Sequence, residues 1–305
     1  MAKVLRAGVI GAGVFGGYHA AQWAGFADVT LTAVLDNQLE RAAAVAGPLG
    51  ASAFADLASF LEAVDLVSVC TPAAAHGDLV LAALRSGKPV YVEKPLAVSL
   101  DQADAIEALA ARRDLVVACG FLERAAFEAM GLFAVPRPPL RLEATRFGLA
   151  TPRNLDVSVV LDLMIHDLDL ALAVAGAAPL AVEAEGVCEA NRSLDRVDAE
   201  ITFENGFTAT LHASRIATSR QRTMTLVYPS GEIEIDGLNR TFSNTTGFDL
   251  DPAYAETAAG RDPLGASLAA FLGAVRGERP GPMAGAAEGA RALDLALAVE
   301  RAVGG

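Results

Sequence analysis

The sequence predicts an α/β protein in which a doubly wound parallel sheet is followed by a second, mostly antiparallel sheet. Short apolar runs alternate with helical segments along the first third of the chain, which is the pattern of βαβ units. In the second half, apolar and polar residues alternate one by one, and pairs such as Asn205-Gly206 separate the runs. We therefore expect two domains, residues 1–121 and 122–305, which also suits a length of 305 residues.

Five strands and four helices are predicted in the first domain. Because each strand is followed by a helix, the strands are expected to run parallel. The predicted strands are 4–10, 29–35, 66–70, 90–92 and 115–120. The predicted helices are 18–24, 39–46, 79–86 and 100–112.

Hairpins are predicted in the second domain. Residues 197–203 alternate in hydropathy, and the alternation returns on 207–213 after the turn at Asn205-Gly206. Ser230-Gly231 indicates a further hairpin. The alanine-rich segment 286–303 is typical of an amphipathic helix. The polar, turn-rich residues 237–260 are predicted to form an extended loop.

Composition and charge exclude several classes of protein. Lys and Arg number 24 against 37 Asp and Glu, a net charge of −13, which disfavours nucleic acid or an anionic membrane as the main partner. Three widely spaced cysteines suggest neither disulfides nor a zinc site, and they suit a reducing cytoplasm. The apolar runs are too short for a signal peptide or a membrane span.

A glycine-rich turn, GAGVFG at residues 11–16, follows the first predicted strand and opens a helix. In this context the first glycine makes a tight turn, the second admits a pyrophosphate and the third allows close helix packing. Asp36 ends the next strand about 20 residues later, where a carboxylate binds the ribose hydroxyls. The carboxylate would repel a 2′-phosphate, and no arginine follows it, so NAD is favoured over NADP. A turn that binds no ligand is the alternative. The expected cofactor-binding residues are Gly11, Gly13, Val14, Phe15, Gly16, Asp36 and Asn37.

Lys94-Pro95 follows the fourth predicted strand. Ligands of open α/β sheets lie at the carboxyl ends of the strands, so Lys94 is expected to face the cofactor. A residue before proline is restricted to an extended conformation, which would hold the ammonium at the strand end. The alternative is a surface lysine in a turn. Thr71-Pro72 and His76 follow the neighbouring strand, and His76 is expected to cap a helix or line the cofactor site.

Three polar residues share one face of an otherwise apolar helical segment. Asp162, His166 and Asp169 are spaced i, i+4 and i+7. Unpaired polar groups are costly in a buried helix, so the row indicates either a satisfied structural network or a site that handles protons. A metal site built from the same three side chains is a further alternative.

Four motifs occur in a fixed order: GAGVFG at 11–16, TPxxxH at 71–76, EKP at 93–95 and DxxxHxxD at 162–169. So arranged, nearly the whole chain resembles the Gfo/Idh/MocA oxidoreductase family. The resemblance implies a Rossmann domain, an α+β domain with a large open sheet, and hydride transfer between NAD(P) and a hydroxyl carbon of a sugar or cyclitol. It implies that the catalytic residues are Lys94, Asp162 and His166. It also implies that the nicotinamide half of the cofactor is bordered by Glu93, Lys94, Thr71, Pro72 and His76.

The residue types suit that chemistry. A neutral histidine can remove the hydroxyl proton while hydride leaves carbon, which favours His166 as the general base. Asp162 would fix the tautomer of His166, and Lys94 would stabilise the developing alkoxide. Asp169 would either orient His166 or bind substrate.

The residues around His166 resemble the branch of the family that oxidises nucleotide-linked amino sugars. This implies a UDP-N-acetylhexosamine oxidised at position 3, in cell-envelope amino-sugar synthesis. The diphosphate of such a substrate needs cationic side chains. The candidate arginines are Arg124, Arg146, Arg153, Arg215, Arg220 and Arg222. For each of them, the alternative is an ordinary solvated arginine. The expected substrate-binding set is Lys94, Arg124, Arg153, Asp162 and His166. A free-sugar or inositol dehydrogenase and a non-catalytic NAD-sensing protein are the alternatives. The family also implies a homodimer or homotetramer.

Overall fold

The computed structural model describes residues 4–150, 157–189 and 193–304. The chain forms two compact units, Met1–Phe121 with Leu264–Ala290 and Leu122–Pro263 with Arg291–Gly305. The chain crosses from the first unit to the second after Phe121, returns after Pro263 and crosses again after Ala290. The sequence contained no signal for the two later passages, at 263/264 and 290/291.

The first unit contains a six-stranded, wholly parallel sheet in the order β3-β2-β1-β4-β5-β6. This confirms the predicted doubly wound sheet. The order reverses between β1 and β4, which is where such sheets bind ligands at the strand carboxyl ends. The three-residue β3 was missed because so short a run has no recognisable alternation. The strands are β1 Leu5–Ile10, β2 Val29–Leu35, β3 Ser52–Phe54, β4 Leu66–Val69, β5 Val90–Val92 and β6 Val117–Cys119.

Five helices connect these strands. The helix after the glycine turn is longer than predicted, because it begins inside the turn. A short helix after β3 was not predicted, and the other three lie within a few residues of their predicted bounds. The helices are α1 Val14–Gly25, α2 Leu39–Ala46, α3 Leu57–Glu62, α4 His76–Arg85 and α5 Leu100–Arg113.

The second unit contains a seven-stranded sheet in the order β13-β12-β11-β7-β10-β9-β8. Only β7 and β10 pair in parallel, so the predicted mostly antiparallel sheet is confirmed. The predicted hairpins at Asn205-Gly206 and Ser230-Gly231 join β9 to β10 and β11 to β12. The strands are β7 Arg141–Leu149, β8 Pro179–Val187, β9 Arg196–Phe203, β10 Thr208–Ala217, β11 Gln221–Tyr228, β12 Gly231–Asp236 and β13 Thr241–Asn244.

Among the described residues, five further α-helices follow the first unit's sheet in chain order, and α9 (Pro263–Val275) among them belongs to the first unit. Residues 160–164 form a π-helical turn that continues directly into α7, so the polar row does not lie on one regular α-helix. The loop predicted for 237–260 was wrong, because it contains β13 and the start of α8. Within the described ranges, no helix is long and apolar enough to span a bilayer. The helices are α6 Glu123–Met130, α7 Ile165–Ala175, α8 Ala258–Arg261, α9 Pro263–Val275 and α10 Ala286–Gly304.

Helix α9 supplies part of the core of the first unit. Trp23 of α1 is fully buried, and its indole N–H donates to Ser68 Oγ at 2.8 Å. Phe271 of α9 packs against Trp23 with ring centroids 6.4 Å apart. The hydroxyl groups of Tyr91 and Ser267 lie 2.9 Å apart. Burial of these aromatic side chains joins a late segment of the chain to the first strands.

Candidate active site

The three glycines of the turn at residues 11–16 have three different surroundings. Gly11 has φ of +96°, which non-glycine residues rarely adopt, and a Cβ there would lie 2.7 Å from the Cys70 carbonyl oxygen. A Cβ on Gly16 would lie 1.7 Å from the carbonyl oxygen of Gly11. A Cβ on Gly13 would meet no atom within 4 Å. Gly13 therefore leaves space beside the start of α1, where a pyrophosphate is expected to bind.

Asp36 links the end of β2 to the glycine turn. Its Oδ2 accepts a hydrogen bond from the Ala12 N–H at 2.8 Å, and its Oδ1 accepts one from the Gln38 N–H at 2.9 Å. Next to it, Asn37 is exposed, as are Val14 and Phe15 at 47% and 49% of their surface. These side chains are accessible to a ligand at the carboxyl ends of the strands.

Replacing Asp36 by alanine is expected to weaken NAD binding by about tenfold or more, because a hydrogen bond to a charged group contributes roughly 1.5–3 kcal/mol. The same change should reduce discrimination against NADP, since the carboxylate no longer repels a 2′-phosphate. Isothermal titration with both dinucleotides measures the two effects. The control is Glu40→Ala, because Glu40 lies at an exposed position of α2. Asp28 is not used as a control because it pairs with Arg276. An unchanged NAD:NADP affinity ratio would contradict the assignment.

The residues after β4 and β5 form a buried polar cluster. Glu93 lies 3.0 Å from His19 Nε2, and a Cβ on Gly120 would lie 3.0 Å from the carboxylate of Glu93. Burial raises the pKa of Glu93, but the hydrogen bond and charge of His19 outweigh this and leave the pKa below its usual value. Glu93 is thus held as a carboxylate directly before Lys94.

His76 connects the two strand ends. Its ring nitrogens lie 2.6 Å from the Pro95 carbonyl oxygen and 2.9 Å from that of Thr71. Burial lowers the pKa of His76, and the two carbonyls only partly offset this. Both ring nitrogens of His76 therefore face backbone carbonyl oxygens. This is expected of a residue that lines the cofactor site rather than of a general acid or base. Beside it, Thr71 Oγ1 is buried and has no hydrogen-bond partner within the described ranges.

The arrangement at the carboxyl ends of β1, β2, β4 and β5 fits a dinucleotide. There is open space at Gly13 where a pyrophosphate is expected, and the carboxylate of Asp36 ends β2 where a ribose is expected. Within the described ranges, the buried hydroxyl of Thr71 is a polar group without a hydrogen-bond partner. No group of three or more His, Cys, Asp or Glu side chains in the described parts of the chain could hold a metal ion.

In the second unit, a row of alternating charges leads to His166. Arg146 on β7 binds both carboxylate oxygens of Asp167, at 2.8 and 2.7 Å, and donates to Glu123 Oε1 at 2.8 Å. The other oxygen of Glu123 lies 2.8 Å from His166 Nδ1. Arg222 on β11 is 3.7 Å from Glu123. These groups are mostly buried, apart from Arg222, whose side chain is 47% exposed.

The pKa of Glu123 reflects this row. Burial raises the pKa of a carboxyl group, but the charges of His166 and Arg146 outweigh burial and hold the pKa of Glu123 well below its usual value. Glu123 and Asp167 in turn raise the pKa of Arg146 against the effect of its own burial. Glu123 and Arg146 are therefore both charged at neutral pH.

The structure gives several sequence-predicted residues intramolecular partners. Asp169 forms a bidentate pair with Arg124, at 2.7 and 2.8 Å. Arg215 is buried and donates to Asp195 Oδ1, to the Val157 carbonyl oxygen and to Ser193 Oγ. The N–H of Asp162, in the π-helical segment, donates to the carbonyl oxygen of Ser158, which precedes that segment. Arg153 lies outside the described residues. Substrate binding by Arg124, Arg153 and Asp162 stays a prediction.

Glu123 and Asp167 were not recognised in the sequence as site residues. Glu123 begins α6, which is far from His166 in the chain, so no spacing links the two. Asp167 adjoins His166 and was one residue outside the i, i+4, i+7 pattern. The only signal was that four acidic or basic residues at 123, 124, 167 and 169 lie in two short helical segments rich in apolar residues.

The doubly wound sheet and its glycine turn are typical of a dinucleotide-binding domain. Two family models match, "Oxidoreductase family, NAD-binding Rossmann fold" on residues 5–121 and "GFO/IDH/MocA C-terminal domain" on residues 133–238. The chain belongs to the Gfo/Idh/MocA oxidoreductase family, as its four motifs predicted.

Relatives of known activity include enzymes that act on different substrates. The chain is 36% identical to UDP-N-acetylglucosamine 3-dehydrogenase of Acidithiobacillus ferrooxidans, over 98% of this chain and 97% of the relative. A solved structure of that enzyme matches with a TM-score of 0.91 over 99% of this chain and 98% of the other. Identity to the scyllo-inositol 2-dehydrogenase (NAD(+)) of Bacillus subtilis is 28%, over 70% and 68% of the two chains.

A more distant structure shares the fold. The WlbA dehydrogenase from Bordetella pertussis, solved in complex with NADH and UDP-GlcNAcA, has a TM-score of 0.86 at 16% identity. It covers 99% of this chain and 96% of its own. The fold is therefore shared far beyond the range of similar sequences.

Proposed function

We propose that the protein oxidises the 3-hydroxyl group of a UDP-N-acetylhexosamine, most favourably UDP-N-acetylglucosamine, and transfers the hydride to NAD. The observation that carries the proposal is the 36% identity to UDP-N-acetylglucosamine 3-dehydrogenase over nearly the full length of both chains, joined to a TM-score of 0.91. Inositol dehydrogenases are less similar and align over a smaller share of the chain.

The residues of this chain are assigned the following parts. Bound NAD supplies the hydride acceptor, and the glycine turn with Asp36 would hold it. His166 removes the hydroxyl proton through Nε2, because Nδ1 is paired with a carboxylate. Lys94 stabilises the developing alkoxide as a hydrogen-bond donor. Asp162 is assigned to substrate.

His166→Ala is expected to lower kcat by about 10²- to 10⁴-fold, the usual contribution of a general base, while NAD affinity stays near wild type. Single-turnover reduction of NAD and calorimetric NAD binding measure the two quantities. His212→Ala is the matched control, since His212 is a partly exposed histidine of the same unit that pairs with Asp198. A His166→Ala enzyme with wild-type turnover would exclude this residue as the base.

A substrate panel tests the proposed activity. UDP-N-acetylglucosamine, UDP-N-acetylgalactosamine, free N-acetylglucosamine, myo-inositol and scyllo-inositol are compared by NADH formation. We expect the highest kcat/KM with a UDP-N-acetylhexosamine. Turnover of an inositol but not of the nucleotide sugars would overturn the substrate and favour a cyclitol dehydrogenase. NAD binding with no reduction by any of these compounds would favour an NAD-sensing protein.

Isotopic labelling tests the position oxidised. With UDP-N-acetylglucosamine deuterated at C3, deuterium is expected in the reduced nicotinamide, whereas substrate deuterated at C4 should give unlabelled NADH. Mass spectrometry of the cofactor distinguishes the two. Transfer from C4 would overturn the proposed position while leaving the substrate class intact.

The proposal includes a homodimer or homotetramer acting in the cytoplasm. It is supported by the resemblance to the family and by apolar side chains exposed on the edge strand β8, where Leu180 and Val187 are 68% and 44% exposed. Light scattering at micromolar concentration tests the assembly, and a monomer would contradict it.

A further inference from the structure

The contacts of His166 point to an orienting residue that none of the four sequence motifs contains. Nδ1 of His166 lies 2.8 Å from Glu123 Oε2, and both side chains are mostly buried. Glu123 belongs to α6 and His166 to α7, so the pair joins two helices that are far apart in the sequence.

Glu123 is itself held in place. Its Oε1 accepts a hydrogen bond from Arg146 at 2.8 Å, and Arg146 is fixed by two further bonds to Asp167, at 2.7 and 2.8 Å. Paired bonds between a guanidinium and a carboxylate restrict geometry as well as adding stability. The position of Glu123 Oε2 relative to the imidazole ring of His166 is therefore fixed.

We propose that Glu123 is the positioning residue of His166, holding the proton on Nδ1 so that Nε2 is the basic nitrogen. The inference rests on the proposed role of His166 as the general base, and it assigns to Glu123 the orienting part that the sequence suggested for Asp162. An ionised carboxylate only accepts hydrogen bonds, so the ring nitrogen beside it carries the proton. The same carboxylate stabilises the imidazolium that forms when His166 takes the substrate proton.

Charged groups around the pair come from several elements. Glu123 on α6, Arg146 on β7, Asp167 on α7 and Arg222 on β11 form one connected set, with Arg222 3.7 Å from Glu123. Asp162 precedes His166 on its own helical segment. The net effect of Arg146 and Arg222 is to keep Glu123 ionised, so a negative charge stays within 2.8 Å of His166 Nδ1 at neutral pH.

Glu123→Gln gives the sharpest test, because Arg146 can only donate hydrogen bonds. The glutamine oxygen is expected to face Arg146, which turns the amide N–H₂ toward Nδ1 of His166. Nδ1 then accepts, the proton moves to Nε2, and the basic nitrogen is lost. We expect kcat to fall by about 10²- to 10⁴-fold, with KM and NAD affinity within about threefold of wild type.

Glu123→Asp keeps the charge and should retain more activity than Glu123→Gln. In Glu123→Asp, the acidic limb of the kcat/KM profile against pH should stay near that of wild type. In Glu123→Gln, the acidic limb of any residual activity should move to lower pH by roughly one unit or more. The reason is that a neighbouring carboxylate favours the imidazolium, and the glutamine removes it. Glu128→Gln is the control, being the same change at an exposed position of α6. A Glu123→Gln enzyme as active as Glu128→Gln would overturn the proposal.

Nitrogen-15 NMR of the histidine rings tests the proposal without any substrate. The chain has four histidines, and His166→Ala identifies the signals of His166. Neutral His166 should carry its proton on Nδ1 in the wild-type protein and on Nε2 in Glu123→Gln. A wild-type ring protonated on Nε2 would overturn the proposal even if Glu123→Gln does not fold. A ring protonated on Nδ1 in a protein that oxidises no UDP-sugar would instead count against the proposed substrate alone.

Discussion

Gly16→Ala is expected to weaken NAD binding by about 100-fold or more and to destabilise the first unit by about 1–3 kcal/mol. The added Cβ would lie 1.7 Å from the Gly11 carbonyl oxygen and 2.8 Å from its carbonyl carbon. Both are backbone atoms of the same turn, so no side chain can move aside to relieve the contact. The turn itself has to shift, and its N–H groups then no longer point at the pyrophosphate. Calorimetry with NAD and urea unfolding measure the two losses.

Two neighbouring glycines provide matched controls. A Cβ on Gly17 meets no atom within 4 Å, and alanine is the better helix former by about 1 kcal/mol, so Gly17→Ala should be at least as stable as wild type. A Cβ on Gly13 is equally unhindered, but it occupies the space expected for the pyrophosphate. Gly13→Ala should therefore fold normally and lose NAD affinity. NAD affinity of Gly16→Ala within threefold of wild type would contradict this reading of the turn.

Arg146→Met is expected to lower the free energy of unfolding by about 3–5 kcal/mol, the usual cost of removing one member of a buried ion pair. Methionine keeps most of the side-chain volume but removes the guanidinium that binds Asp167 and Glu123. Two carboxylates would then remain in a mostly buried region without their principal cation. Urea unfolding measures the loss, and activity should fall with it because Glu123 is no longer fixed.

Arg141→Met is the matched control for this change, since Arg141 lies on the same strand and is exposed. Surface substitutions of this kind usually change stability by no more than about 0.5 kcal/mol. If Arg146→Met were as stable as Arg141→Met, the row from Asp167 to His166 would not be held by Arg146. The position of Glu123 would then need another explanation.

Local sequence patterns were sufficient for the elements that depend on local interactions. Strand β2 and helix α2 have the bounds that the sequence predicted, because an apolar run and a regular amphipathic segment are separated by polar residues. β3 was missed because three residues in an edge strand carry no period. The predicted loop at 237–260 failed because β13 pairs with β12, a neighbour that the local composition does not reveal.

In the candidate site, too, the sequence predicted the features that depend on local spacing and missed the contacts between distant segments. The glycine turn and Asp36 were recognisable because their spacing is set by one βαβ unit. The partners of His166 and Asp169 were not, because Glu123 and Arg124 lie on α6 and meet α7 only in the folded chain. A row of polar residues on one helix indicates that partners exist, but it does not identify them. Arg124, which was expected to bind substrate, and Asp169, whose role the sequence left open between orienting His166 and binding substrate, form an ion pair with each other.

The split composition of the first unit also affects how the protein is made. Residues 1–121 emerge from the ribosome first, yet the unit also contains Leu264–Ala290, with Phe271 and Ser267 against Trp23 and Tyr91. In the nascent chain, the apolar surface of residues 1–121 that packs against Leu264–Ala290 therefore stays uncovered until that later segment has been translated. A fragment that stops at residue 121 lacks the α9 side chains that pack against Trp23 and Tyr91, and it is expected to aggregate.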